Sequence, residues 1–388
     1  MCDMASSDLP LAPELARVLN YLRDGVPRTR GQLVELSGLA RSTLSARLDQ
    51  LLTGGLVAPA GGGVSSGGRP AGFVTFQPGA RILLAIDLGA THGIVALTDL
   101  AGTVLASEAT GLLIADGPRP VLDWVLETAE RLTAQINRPR GDIVGVGIGL
   151  PGPVEHSTGL PTNPPIMPGW DAFDVPAYIR ARFDVPVLVD NDVNLLALGE
   201  HATVWRSVDD LFFVKVATGI GAGIISGGAL QRGAQGSAGN LGHVRIPFTS
   251  RTPAHGDADD DLEALASGPG VARALSRAGK PALSSDDVVE LARAGDGQAN
   301  EAIRQAGRDL GEVLSTCVDL LNPSVIVIGG SLAQAGDLLL AGVREVVYRQ
   351  STPLATRHLT ITESLAGETG GVIGAATMLI HYLLGPVA

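Results

Sequence analysis

The chain has little cysteine. Its 388 residues include only Cys2 and Cys317, which lie far apart and outside any CxxC spacing. That argues against a disulfide framework and against a thiolate metal site, and it fits a reducing compartment. Long apolar runs are missing as well. No early stretch joins a basic start to an apolar core of about 7 to 15 residues, so no signal peptide is read. The most apolar late segment, AATMLIHYLLGPVA, is too short for a membrane span and carries His381; it reads as a buried terminal helix, and a cytoplasmic location is expected. An excess of positive charge is also lacking: the formal net charge is −12, which taken alone argues against nucleic acid.

What is present is core material and glycine. Apolar residues make up 45% of the chain, enough for two or three domains, and the 51 glycines are dispersed, as in a fold with many tight turns. The charge is also uneven. Residues 1–78 hold seven Arg and six acids, which leaves −13 on the remaining 310 residues. Within 23–69 there are six Arg against three acids, a local positive field.

That basic segment has the pattern of a winged helix-turn-helix. Leu15, Val18, Leu19 and Leu22 recur at helical spacing before Gly25 and Pro27. Thr29 precedes Gln32 by a capping-box interval, and the helix it opens should stop at Ser37 and Gly38. The next helix places Leu44, Leu48, Leu51 and Leu52 on one face. Arg41, Ser42, Thr43, Ser45 and Arg47 then fall on or near the other, a set suited to phosphates and base edges. Two strands around a Gly/Ser-rich loop would form a wing carrying Arg69, and Arg28 and Arg30 complete the candidate DNA contacts. The alternative is a small helical bundle with a solvated Arg face.

The rest of the chain reads as α/β. Residues 82–110 suggest three consecutive strands with turns at GATHG and DLAG, and LFFVKVATGIGAGIISGGALQRG at 211–233 repeats the cadence. The two stretches predict two lobes of similar build, with mixed sheets. Glycine turns bearing a Thr can cradle phosphate oxygens, and Asp87 at a strand end could organise a metal–phosphate complex. VLVDNDVNLLALGE runs an apolar strand into Asp190, Asn191 and Asp192 and then turns helical. In open α/β sheets, ligands sit at such strand ends.

Taken together, IDLGAT (86–91), GVGIGLPGPV (145–154), DNDVNLLALGE (190–200), TGIGAGII (218–225), RGAQGSAGNLGHV (232–244) and NPSVIVIGG (322–330) resemble the ROK family (repressor, open reading frame, kinase). The resemblance covers 82–388 and implies the two-lobed actin-like ATPase and sugar kinase fold. The front domain, 1–78, with its GGRP wing, is similar to the family's repressor branch. In the family's kinases, the Asp matching Asp192 takes the proton of the attacking sugar hydroxyl. Sugar contacts carry over to Gly152, Asn163, Asn191, Asp192, His243 and Glu263. For Asp192 the alternative role is a helix N-cap.

The departures from the family matter equally. The family's zinc site uses the His of GH and three cysteines soon after it, whereas the interval after His243 here holds none, so no metal and no cofactor are expected. Its acidic run reads as a solvated loop. The Glu before GH is Asn240, which hints at a ligand other than glucose, an amino sugar being one option. DxGGTK has become DLGATH, with Ala90 and His92, and GTG has become ATG, with Ala217. Added methyl groups obstruct backbone approach to phosphates, and the lost lysine removes a charge partner. The expected protein is therefore a sugar-responsive transcriptional regulator, a repressor acting as a homodimer or dimer of dimers on an inverted-repeat operator, with Asp192 a vestigial base. A sugar kinase, with or without DNA binding, is the runner-up. A regulator driven by a protein partner comes third.

Overall fold

Pro13 at the first helical position and the apolar stripe behind it start α1 (Pro13–Asn20), which buries Ala16, Val18 and Leu19. After the short strand β1 (Arg28–Thr29), Thr29 caps α2 (Arg30–Ser37). Its hydroxyl accepts from the Gln32 amide while Gln32 Oε1 accepts from the Thr29 amide, closing the expected capping box. Gly38, at φ +67°, ends α2 in the left-handed conformation that glycine takes without strain, and α3 (Arg41–Thr53) follows. Leu44, Leu48 and Leu51 of α3 are buried with Leu19, Leu22 and Leu33, and Leu52 is half-buried. Strands β2 (Val57–Ala60) and β3 (Phe73–Phe76) form the wing, in a three-stranded antiparallel sheet ordered β1-β3-β2. This computed structural model describes residues 9–61, 72–246 and 261–386, so Arg69 and most of the acidic interval after His243 lie outside the described residues.

The winged helix belongs to the first of two compact units, which takes in residues up to Gly152, His156–Asp190 and the chain from Ala375 onward. The predicted strand triplet is β4 (Ile82–Leu88), β5 (His92–Asp99) and β6 (Val104–Gly111). After α4 (Pro118–Gln135), β7 (Ile143–Leu150) pairs parallel to β4. Two-residue strands β8 (Val154–Glu155) and β9 (Leu160–Pro161) and helix α5 (Val175–Arg180) lead to β10 (Val187–Asn191). The sheet order is β10-β7-β4-β5-β6. Every residue of β4 and β7 is buried, as near-continuous apolar strands in a sheet covered on both faces should be.

The second unit contains Pro153–Glu155 and Asn191–Gly374. It opens with α6 (Asp192–Thr203), followed by the second triplet, β11 (Leu211–Val216), β12 (Ile220–Ser226) and β13 (Ala229–Leu230). Helices α7 (Leu262–Ala266), α8 (Gly268–Arg277), α9 (Ser285–Arg293) and α10 (Gly297–Leu321) precede β14 (Val325–Gly329). Then come α11 (Asp337–Gln350), α12 (Pro353–Thr356) and β15 (Thr360–Glu363), completing a sheet ordered β13-β12-β11-β14-β15. A core around Val214, Ile326 and Ile328 lies under α8 to α11, with Leu310, Leu314 and Val343 fully buried. Glu200 of α6, buried, accepts from Ser364 Oγ at 2.7 Å and from the Ala366 amide at 3.0 Å.

The last helix, α13 (Gly370–Leu384), gives its residues from Ala375 to the first unit. Glycine makes room for it there, since a Cβ on Gly147 would lie 2.8 Å from the Ala375 carbonyl. Past its end the chain reaches the winged helix. The Leu11 amide donates to Leu383 O at 2.7 Å, Asn20 Nδ2 to Pro386 O at 2.7 Å and Arg23 Nη1 to Gly385 O at 2.8 Å.

Candidate functional site

Strand β10 delivers three polar residues in a row, and each meets a different partner. Asp190, 2% exposed, has Oδ2 3.5 Å from His156 Nδ1. Asn191 takes the cap: its Oδ1 accepts from the Val193 amide at 2.9 Å, so the capping role considered for Asp192 falls one residue earlier. Asp192 instead sits in the first turn of α6, 3% exposed, where the helix dipole favours a carboxylate. Lys215 Nζ on β11 donates to its Oδ2 at 2.5 Å.

A second cluster gathers around α7. Asp261 caps that helix through the Ala264 amide and lies 3.3 Å from His243 Nδ1. Glu263 Oε2 accepts from the Ile220 amide at 2.9 Å, which fixes the turn between β11 and β12. A Cβ on Gly219 would come within 2.8 Å of that same oxygen. Asp261 and Glu263 line a pocket of about 260 Å³ with Thr218, Ser267 and Arg273. The pocket wall thus offers two carboxylates, two hydroxyls and a guanidinium, a mixture of acceptors and donors that suits hydroxyl groups.

The two predicted phosphate loops expose their threonines, Thr91 and Thr218, and differ in what lies beside their glycines. Asp87, the next-to-last residue of β4, is almost fully buried, and His92 Nε2 lies 3.9 Å from its Oδ2. The His92 ring lies on Gly89, where a Cβ would come within 2.0 Å of Cε1. In the second loop the Ala217 amide donates to Gly219 O and the Ala217 carbonyl accepts from the Gly268 amide, both at 2.9 Å.

Of the remaining sugar candidates, Gly152 and Asn163 are in the first unit, and Asn191, Asp192, His243 and Glu263 are in the second. Gly152 is wedged against Pro164 and Met167, which a Cβ would meet at 3.0 and 3.1 Å. Asn163 is exposed at φ +44°, and its amide donates to Asp171 Oδ1. Sequence reasoning missed His156 and Lys215. The signal for Lys215 was a single cation in the otherwise apolar LFFVKV, next to the turn residues.

Among the DNA candidates, Arg41 and Ser42 are exposed at the start of α3, and Thr43, Ser45 and Arg47 are half-exposed along it. Arg30 pairs with Asp49 at 2.7 Å. The Arg28 guanidinium donates to both oxygens of Asp24 and to the Tyr21 and Val26 carbonyls, which ties it to the turn after α1. Among the described residues no group of three or more His, Cys, Asp or Glu side chains could hold a metal ion, and no helix is long and apolar enough to cross a membrane.

A family model described as "ROK family" matches residues 83–381. The chain belongs to the ROK family. It is similar to the xylose repressor of Bacillus subtilis (strain 168), 28% identical over 369 residues that cover 95% of this chain and 94% of the relative. A glucokinase of Halalkalibacterium halodurans is 26% identical over 317 residues, 77% of this chain and 95% of the kinase. Among solved structures, a ROK family transcriptional regulator described as a homolog of the E. coli MLC protein superposes with a TM-score of 0.80 at 27% identity, covering 96% of each chain. The fold is therefore the two-lobed sugar kinase and actin-like type with a winged helix in front, and the ROK family supplies both regulators and kinases with it.

Proposed function

We propose that the protein is a sugar-responsive, DNA-binding transcriptional repressor of carbohydrate uptake or metabolism genes. Residues 1–78 act as the winged-helix reader and 82–388 as the sensor. The observation that carries this reading is the outward face of α3, where Arg41, Ser42, Thr43, Ser45 and Arg47 stand clear of a leucine core. The full-length likeness to a repressor named for xylose supports it, as does the near-complete superposition on a regulator. The effector is a sugar or sugar derivative held by Asp192, His243 and Glu263, with Asn191 supporting it as the cap of α6. The protein works in the cytoplasm as a homodimer or dimer of dimers. A two-fold assembly selects an inverted repeat whose half-sites lie about one helical turn (~10 bp) or a multiple apart.

Selection of duplexes from a random library should recover such a repeat. Arg41→Ala and Arg47→Ala should weaken binding to it, with a flatter salt dependence where the lost contact was to phosphate. Unchanged affinity and salt slope in both variants would remove the reader assignment.

The second reading, a ROK sugar kinase, has the glucokinase likeness and the buried Asp192 in its favour. Against it stand His92 lying on Gly89 and the self-closed Ala217 turn, since phosphoryl transfer depends on positioned charge and open backbone around the phosphates. A coupled assay with D-xylose, D-glucose and N-acetyl-D-glucosamine should show no turnover near the ~1 to 100 per second of ordinary kinases. Turnover in that range would promote this reading.

A further inference from the structure

Lys215 is the one cation on β11, and its position is unusual. In the strand LFFVKV, Phe212, Val214 and Val216 point into the core, so Lys215 lies on the opposite face, toward α6. It is opposite Gly221 of β12 and Gly329 of β14, with Val193 over the first and Phe213 over the second. Its side chain is 17% exposed, and its ammonium meets the carboxylate at the first turn of α6 at 2.5 Å. A buried ammonium and carboxylate both lose hydration, and that cost is offset only when each finds the other in good geometry.

We propose that Lys215 is the positioning residue of the effector site: it holds Asp192 as a charged, fixed acceptor that receives a hydrogen bond from a neutral sugar hydroxyl without taking the proton. This rests on the reading of Asp192 as a sugar contact. The physical ground is that a cation at contact distance stabilises the carboxylate and lowers its tendency to accept a proton. The same pairing that fixes the acceptor therefore disarms the base that phosphoryl transfer requires. β12 and β13 carry no titratable group, β11 contributes Lys215 alone, and on α6 Glu200 is tied to Ser364 and His201 to the Val208 carbonyl. Asp190, two residues before Asp192, is paired with His156 and is unchanged in the variants below, so a difference from the native protein isolates the Lys215 effect.

The test is effector binding by calorimetry from pH 5 to 8, with D-xylose, D-glucose and N-acetyl-D-glucosamine as probes, on the full chain and on Lys215→Met, Lys215→Gln and Asp192→Asn. The native protein should bind one of the probes, its pH profile serving as the baseline, and Asp192→Asn should lose that binding. With the cation gone, Asp192 takes a proton at higher pH. Both Lys215 variants should therefore bind well at pH 8 and lose affinity ten-fold or more toward pH 5. Lys215→Gln keeps a donor and nearly the same length, so it serves as the reading if Lys215→Met fails to fold. Native affinity and the native pH profile in Lys215→Gln, with binding lost in Asp192→Asn, would overturn the Lys215 proposal alone. Binding retained in Asp192→Asn, or no probe bound by the native protein, would overturn the sugar contact and the Lys215 proposal with it.

Discussion

The strand triplets β4–β6 and β11–β13 are two solutions to one construction problem. In each, the first two strands are joined by a glycine turn, and the second strand carries a glycine where a helix must come close. In the first triplet the close approach is a side chain: a Cβ on Gly93 would meet Trp124 at 2.8 Å. In the second it is the helix itself: a Cβ on Gly223 would come within 2.5 Å of Ala197 Cβ and 2.8 Å of the Val193 carbonyl oxygen. The turns differ in chemistry as well, because an imidazole covers Gly89 and a carboxylate lies against Gly219. A carboxylate repels phosphate and welcomes a hydroxyl. One supersecondary unit can therefore keep its shape while the group lying against its turn changes from an imidazole to a carboxylate.

The comparison fails first if the two glycines behave alike. A tryptophan edge can shift and a helix carbonyl cannot. Gly223→Ala should therefore cost about 3 kcal/mol, at the upper end of overpacking penalties, against about 1 kcal/mol for Gly93→Ala. Urea unfolding of both variants measures this, and equal losses would erase the distinction.

Next in size is the regulatory effect. Asp192→Asn should keep operator affinity and lose its sugar sensitivity, removing a coupling of ~1 to 3 kcal/mol, or ~5- to 150-fold in operator binding. A normal sugar response measured by fluorescence anisotropy would reduce Asp192 to a structural group. Smaller again is the contrast between the two turns. Glu263→Gln gives up a charged acceptor for the Ile220 amide and should lower stability by about 1 kcal/mol, whereas His92→Ala, at a half-exposed ring, should change it by less than about 0.5 kcal/mol.

A group on neither turn sets the baseline. Burial pushes the Cys317 thiol up from its ordinary 9.0 to about 11. In a Cys2→Ser background, it should stay unreactive toward a disulfide reagent at pH 8 until the protein is unfolded. Its value is raised on folding, so its contribution to stability is fully present below about pH 9 and fades as the pH climbs toward 11.

Much of this was legible in the sequence where the cause is local. The Thr29–Gln32 capping box, the Gly38 stop and the leucine face of α3 depend on neighbours three or four residues away, and they formed as read. Both triplets were visible through alternating turns and apolar runs. The polar strand end at 190–192 was visible too, but not its partners. His156 and Lys215 reach it through side-chain placement that no spacing encodes. The pairing of Arg28 with Asp24 across the turn after α1 was equally hidden in the sequence. Arg69 and all of the acidic run but Asp261 lie outside the described residues.

The grip of the final residues on α1 has a consequence in time. Asn20 and Arg23 find acceptors 366 and 362 residues further along the chain. During synthesis these two side chains are made more than 360 residues before the carbonyls that moor them. A nascent chain therefore carries them without those acceptors until residues 385 and 386 have been added.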